Sequence, residues 1–378
     1  MFTPYELKSV TFPNRIVMPP MCQYSVWAQD GKPNDWHTVH YTSRAIGGTG
    51  LIIIEMTNVE PDGRISNRCL GLWSDEHIEP FARLIASVKA HGAKVGIQIA
   101  HAGRKAQDAE VPVAPSAIPY DEHSKTPRAL TTDEVRAMVK KFQDAARRAV
   151  AAGVDTIELH GAHGYLIHQF HSPAINKRDD EYGKDPGLFG VEVIRAVKRV
   201  MPQGMPLIFR ISAVEYMDGG YDLDCAIGLC LRYRDAGVDA FHVSSGGDGP
   251  VGTQRRPGNY PGYLLPYARA IKEAVRVPVI AVGMLDEPKL AQAAVANGAA
   301  DLVAVGRGML SDPYWAIRAI RATGGRVDAQ AAGIVARSVG EGGLLGDVLD
   351  GDQALQAVVV VQNQQALELV LVQQALGF

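Results

Sequence analysis

His160 and His163 leave one short stretch, TIELHGAHGY, three positions apart, and Tyr165 follows two residues on. Two imidazoles emerging together can both donate to a single carbonyl or nitro oxygen and stabilise the enolate-like charge that develops there, as an oxyanion hole does. A phenol beside them is placed to deliver a proton. Two plainer readings compete. The histidines could be packed core residues, or, since His160, His163, His168 and His171 crowd one short stretch, they could bind a metal. There is no HExxH pattern, and no carboxylate lies within 160–171, so no metal is expected.

Other polar residues interrupt apolar runs. Gln98 sits in KVGIQIA and Arg210 in LIFRIS. A buried amide or guanidinium needs defined partners. Either a core network supplies them, or a bound ring does. The edge of a flavin alternates carbonyl and N–H groups that a glutamine satisfies both ways, and a nearby cation favours the anionic reduced ring. Glycines at 283 and 306, each just after an apolar run, could be ordinary turns. They could equally offer backbone N–H groups to a phosphate, with Arg307 adding a charge-assisted bond. Cys22, in PPMCQY, is either an inert thiol or a contact that tunes the ring's redox potential.

These residues need a frame that gathers them. Ala-Gly-Val-Asp recurs at 152–155 and 236–239, with similar glycine junctions at 91–93 and 297–299, each ahead of a short apolar run. Glycine there can end a helix in the left-handed conformation, and a continuous apolar run fits a strand buried on both faces. Eight strands are expected near 15–21, 50–56, 94–99, 155–160, 206–212, 239–244, 278–283 and 301–305. Helices are expected near 36–46, 79–91, 131–153, 187–200, 222–236, 261–276, 286–297 and 312–322. The helix from Thr131 opens with a capping box to Glu134. Eight alternations point to an α/β fold, a closed (β/α)8 TIM barrel, preceded by an N-terminal hairpin. An open doubly wound sheet would want GxGxxG after its first strand, and none is there. Every residue singled out above falls at or near the C-terminal end of a strand, where barrels carry their active sites. The Pro-rich excursion over 102–130 fits a binding loop.

The chain has 378 residues, 47% hydrophobic and 21% charged, with a net charge of −3. That balance argues against an electrostatic nucleic-acid binder. Four cysteines without a CxxC pair argue against a disulfide framework, a zinc ribbon and a cysteine-held cluster. No apolar run is long enough to span a membrane, and the N-terminus lacks a signal-peptide pattern, so the expected location is the cytoplasm. Residues 1–325 are expected to form the barrel and 326–378 an atypical Gln-, Val- and Leu-rich tail. From Ser338 to Phe378 there is no Lys, Arg or His.

PPMCQY at 19–24, QIAHAGRKA at 98–106, HGAHGYLIHQF at 160–170, SPAINKRDDEYGK at 172–184, AVGM at 281–284 and GRG at 306–308 together resemble the Old Yellow Enzyme family, and within it the thermophilic-like, xenobiotic-reductase branch. The resemblance spans roughly residues 1–325. It implies an FMN-binding barrel that reduces activated C=C bonds (enones, maleimides, nitroalkenes) with NADPH or NADH. By position it implies that Pro20, Met21, Cys22, Met56, Gln98, Arg210, Gly283, Gly306 and Arg307 hold the flavin. His160 and His163 would hold the substrate oxygen, Tyr165 would give the proton, and Tyr24 and Lys105 would line the pocket. Met56 stands where relatives commonly carry a smaller residue. Relatives are homo-oligomers that send an arginine-bearing tail into a neighbour's site, and from Ser338 to Phe378 this chain has no arginine to send.

Three other functions are weighed against that one. A class I aldolase would want a Schiff-base lysine inside a strand end, whereas Lys105 belongs to a loop. A dienoyl-CoA reductase would need a cysteine cluster and more chain. A flavin carrier without turnover would share the binding residues and differ only in activity.

Overall fold

The computed structural model describes residues 1–247, 249 and 260–324. Eight parallel strands form a closed ring: β1 (Ile16–Met18), β2 (Leu51–Asn58), β3 (Lys94–Ala100), β4 (Thr156–Gly161), β5 (Leu207–Ser212), β6 (Ala240–Ser244), β7 (Val279–Ala281) and β8 (Leu302–Ala304). Each pairs with the next, and β8 returns to β1 through Val303 opposite Ile16. That last pairing excludes the open sheet and makes the fold a (β/α)8 barrel. Eight helices follow the strands in turn: α1 (Asp35–Ile46), α2 (Ile78–Lys89), α3 (Thr132–Ala151), α4 (Leu188–Lys198), α5 (Leu223–Ala236), α6 (Leu265–Val275), α7 (Pro288–Ala296) and α8 (Trp315–Ala322). All sixteen elements lie where the residue pattern put them, within a few residues at each end. The expected tail, 326–378, lies outside the described residues.

Local chemistry explains the boundaries. At α3, Glu134 N donates to the Thr131 hydroxyl at 3.2 Å, and the Glu134 carboxylate accepts from Thr131 N at 2.8 Å. The box satisfies two of the helix's orphan N–H groups. The apolar stripe of α3, from Val135 through Met138 and Phe142 to Ala149, then packs on the barrel wall. α1 ends at Gly47, where a Cβ would sit 2.0 Å from the Pro313 carbonyl, so only glycine allows the chain ahead of α8 to approach.

The barrel interior is divided along its axis. Val17, Leu51, Ile53, Ile208, Ala240, Ile280, Leu302 and Ala304 form an apolar plug toward the strand N-termini. Leu7 and Phe12 join it from a hairpin, Tyr5–Leu7 against Val10–Phe12, which covers that end. Above the plug the inward side chains become polar. Gln98, Glu158, His160, Arg210 and His242 are all at least nine-tenths buried. Among the described residues, no helix is long and apolar enough to cross a membrane.

Burial also sets the charge of the histidines. His37, His40, His160 and His171 are each at most 5% exposed. Loss of water holds His37 down to about 4 and His40 to about 3, and pushes His160 and His171 well below the ordinary imidazole value. The unfolded chain therefore binds protons that the folded one refuses. The stability gained from neutral imidazoles is full above about pH 6.5 and is lost as pH falls toward 4. For His37 and His40 the loss between pH 7 and pH 5 is about 2 kcal/mol each, and the Glu55 carboxyl, raised by burial to about 8, offsets part of it. Thermal melts should show Tm falling steeply below about pH 6.5, and His40→Gln should flatten the fall. A Tm that stays level down to about pH 5 would contradict this.

Candidate active site

Three groups of side chains meet at the C-terminal end of the barrel. The first is a buried network. β3 and β4 pair with Gln98 opposite Glu158, and Arg210 on β5 pairs with His160 on one side and His242 on the other. Paired residues point to the same face, here inward. Gln98 Nε2 donates to Glu158 Oε1 at 2.7 Å, and His242 Nδ1 lies 2.7 Å from Glu158 Oε2. Facing a carboxylate oxygen, Nδ1 is the donor. Burial lowers the His242 pKa despite Glu158, so its Nε2 is an acceptor. That Nε2 and Arg210 Nε are both sealed from water without a partner. One unpaired acceptor and one unpaired donor in the same layer suit a group whose edge offers both, as a flavin pyrimidine does.

The second group is built on the turn after β4. The Ala162 backbone N–H donates to His160 Nδ1 at 3.2 Å. With the imidazole kept neutral, first by burial and then by Arg210, its proton must sit on Nε2, which has no protein partner among the described residues. His160 therefore presents an N–H donor. The His163 ring stands 5.1 Å away, edge-on, with Nε2 2.6 Å from Ser244 Oγ and its backbone N bonded to Ser212 Oγ at 3.1 Å. His163 holds the left-handed conformation at φ 59°, and Tyr24 after β1 does so at φ 51°. Such strain in bulky residues persists where the surroundings enforce it. Gly247 after β6 helps: a Cβ there would lie 2.3 Å from His163 Cα. Lys105 Nζ bridges the His163 and Gly247 carbonyls, both at 2.9 Å, and lies over the Tyr165 ring at 4.9 Å. The Tyr165 ring meets His160 edge-on at 4.8 Å.

The third group joins β1 to β2. Met56 and Cys69 are buried in a small apolar cluster, against which Cys22 and Tyr165 pack. Glu55, fully buried on β2, accepts from Gln23 N at 2.7 Å and from the Tyr41 hydroxyl at 3.1 Å. Burial raises this carboxyl to about 8, so it is largely protonated at neutral pH and pins the Cys22–Tyr24 turn as a neutral group.

Beyond these, Pro20 is buried at the end of β1, and Met21 Sδ lies 3.5 Å from where a Gly306 Cβ would be. Gly283 takes φ 116°, with Leu264 3.0 Å from its Cβ direction. Arg307 is exposed and has no hydrogen-bond or ion-pair partner among the described residues.

Every residue singled out from the sequence thus lies at a strand end or in the loop that follows. Glu158, His242, Cys69, Glu55, Ser212 and Ser244 were not foreseen. Glu158 could have been: it is a charge inside TIELH, two residues before His160 and so on the same face. Of the clustered histidines, His168 turns away to Glu215 at 3.0 Å and His171 to Tyr233 at 2.6 Å. Among the described residues, no group of three or more His, Cys, Asp or Glu side chains could hold a metal ion.

Comparison with known proteins follows the same lines. The family model for the NADH:flavin oxidoreductase / NADH oxidase family matches residues 1–323. An NADPH dehydrogenase of Bacillus velezensis (strain DSM 23117 / BGSC 10A6 / LMG 26770 / FZB42) is 48% identical over 319 residues, 84% of this chain and 93% of its own. One from Geobacillus sp. (strain WCH70) is 45% identical over 333 residues, 87% of this chain and 96% of its own. Among solved structures, morphinone reductase superposes with a TM-score of 0.74 at 28% identity, covering 88% of this chain and 92% of its own. The chain belongs to the NADH:flavin oxidoreductase / NADH oxidase family, the Old Yellow Enzyme group of FMN-dependent barrels, and is an NAD(P)H:flavin oxidoreductase.

Proposed function

We propose that the enzyme is an ene-reductase acting on activated C=C bonds, in enones, maleimides and nitroalkenes, with NADPH or NADH as reductant. The observation that carries this reading is His160, neutral and with its Nε2–H unclaimed by protein, beside His163 and Tyr165. When bound, FMN supplies hydride transfer from the nicotinamide to the substrate β-carbon. Gln98, Arg210 and His242 would hold the ring's polar edge, with Pro20, Met21, Cys22 and Met56 beside it. Gly283, Gly306 and Arg307 would hold the phosphate.

The residues' own tasks follow from their states. A neutral imidazole donates to a carbonyl or nitro oxygen without protonating it, so charge can build on that oxygen and remain hydrogen-bonded. Burial raises the Tyr165 phenol well above its ordinary value, with Cys22, Tyr24 and Cys69 adding to the shift. Tyr165 therefore stays protonated until a basic α-carbon draws its proton. Lys105 acts by fastening the His163 turn to Gly247, while Tyr24 forms the outer wall. The barrel, expected to occupy residues 1–325, carries all of these groups.

His160→Ala is expected to slow enone reduction by about 10²–10³-fold while flavin reduction by NADPH stays comparatively fast. Stopped-flow traces of the two half-reactions decide it, and equal loss in both would contradict the oxyanion role.

Tyr165→Phe should leave the reductive half-reaction intact and slow enone turnover by about 10², the low end for general acids, since solvent can substitute. Nitroalkenes, whose nitronate product is stable without the proton, should suffer less. A uniform loss on both substrate types would make Tyr165 structural.

Arg307→Ala should weaken flavin retention about tenfold or more, read as cofactor content after extensive dilution, with turnover per bound flavin little changed. Unchanged retention would remove Arg307 from the phosphate site.

A further inference from the structure

The long excursion between β3 and α3 brings one ring back onto the site. Lys105 Nζ lies over the Tyr120 ring, 4.7 Å from its centroid, and over the Tyr165 ring at 4.9 Å. The same ammonium donates to the His163 and Gly247 carbonyls, both at 2.9 Å. Tyr120 is itself fastened. Its hydroxyl donates to the Gly249 carbonyl, in the loop after β6, at 3.0 Å. Just ahead of it, the Ile118 and Pro119 carbonyls accept from Arg104 Nη1 at 3.4 Å and 2.9 Å. Arg104 is buried, and its guanidinium carbon lies over the Tyr120 ring at 5.6 Å. Fastening the His163 turn takes only the two carbonyl bonds and leaves the two ring contacts of the Lys105 ammonium without a task.

We propose that Tyr120 is a positioning residue for proton delivery: it keeps the Lys105 ammonium on the Tyr165 ring, where the positive charge favours the phenolate that remains once the proton has gone. The inference rests on Tyr165 being the proton donor. Over a neutral phenol the cation meets only the ring's quadrupole. Over a phenolate it meets a full negative charge. The attraction therefore grows as the proton leaves, and an interaction that grows toward the transition state speeds the step instead of merely tightening binding. Screening decides how much of it is felt. A lysine ammonium is strongly hydrated and sits on a flexible stem. The two carbonyls fix where it stands, and the Tyr120 ring takes a place that water would otherwise fill. A ring there attracts the cation without screening it as water does.

The step balances as a simple proton transfer. Once the β-carbon has its hydride, the substrate carries an electron pair shared between the α-carbon and the enolate oxygen. That pair takes the Tyr165 proton: a C–H bond forms at the α-carbon, the phenol O–H bond breaks, and its electrons stay on the phenolate oxygen. Water returns a proton to the phenolate after the product leaves. Lys105 gives up no proton in this sequence, and its charge acts only by lowering the energy of the phenolate. Tyr120 exchanges nothing. It acts through Lys105, by the ring contact and by the hydroxyl bond to Gly249 that holds the ring in place.

The holoenzyme is followed by stopped flow in its two half-reactions. Tyr120→Leu should slow reoxidation of the reduced enzyme by an enone about tenfold, while flavin reduction by NADPH stays comparatively fast. Tyr120→Phe keeps the ring and loses only the hydroxyl bond, so it should stay within about threefold of wild type. In a Tyr165→Phe background, Tyr120→Leu should cost nothing further, because no phenolate forms there. A second readout needs no turnover. In protein labelled with ¹³C at lysine Cε, the Lys105 Hε protons should lie upfield, shifted by the two rings, and should move back downfield in Tyr120→Leu. Equal slowing by Tyr120→Leu with and without the Tyr165 hydroxyl would overturn the proposal. So would a Tyr120→Leu enzyme reoxidised at the wild-type rate beside a slow Tyr165→Phe, or a Lys105 signal at the position of an exposed lysine. Reoxidation of Tyr165→Phe at the wild-type rate would instead refute the donor reading, and the proposal would fall with it.

Discussion

The hydrogen bond from the Ala162 backbone to His160 Nδ1 decides what the site can do. An imidazole withdrawn from water is uncharged, and an uncharged imidazole has one proton to place. The backbone N–H occupies Nδ1 as an acceptor, so the proton faces outward on Nε2. The same device recurs around this end of the barrel. Gly103 N meets His101 Nδ1 at 2.9 Å and Gly164 N meets His168 Nδ1 at 3.0 Å, which leaves each Nε2–H to a carboxylate, Glu60 and Glu215 respectively. His160 differs only in that nothing in the described protein receives its Nε2–H. Its outward donor is a consequence of the turn after β4, and the turn is a consequence of the strand that precedes it.

That donor is useful only if the surroundings stay dry and rigid, and the division of the barrel interior provides for both. The plug toward the strand N-termini is a buried apolar cluster, which Leu7 and Phe12 join. Above it, Glu158 holds Gln98 and His242 on its two oxygens, which orients the amide of Gln98 before any ligand arrives. A buried carboxylate with satisfied oxygens is stable where an isolated one is not. The atoms left over, Arg210 Nε and His242 Nε2, are unpaired within the protein. Binding of a group that satisfied both would remove a penalty of order 1–3 kcal/mol for each unsatisfied atom, so such a group would stabilise the fold that receives it.

The barrel was legible because its signals are local. A capping box at Thr131 and glycines before apolar runs are one-dimensional features, and they survive into three dimensions unchanged. Gln98 and Arg210 were legible as polar intrusions into apolar strands, and Glu158, by the same test, was overlooked. What could not be read was pairing across distant loops. Nothing near Cys69 in the sequence says that it joins the cluster on which Cys22 packs, because its place depends on a two-residue strand added beside β2. Lys105 was expected to line the pocket. Its ammonium spans two carbonyls from the β4 and β6 turns, a role set by where those turns end. Such contacts arise from closure of the barrel, and no stretch of sequence contains them.

The central claim, that His160 is neutral with its proton on Nε2, is tested most directly by the ring-nitrogen chemical shifts of the histidines in ¹⁵N-labelled holoenzyme. Long-range ¹H–¹⁵N correlation spectra should give His160 a non-protonated Nδ1 and a protonated Nε2, unchanged on acidification through about pH 6.5. A His160 that titrates near pH 6.5, or that carries its proton on Nδ1, would contradict the account.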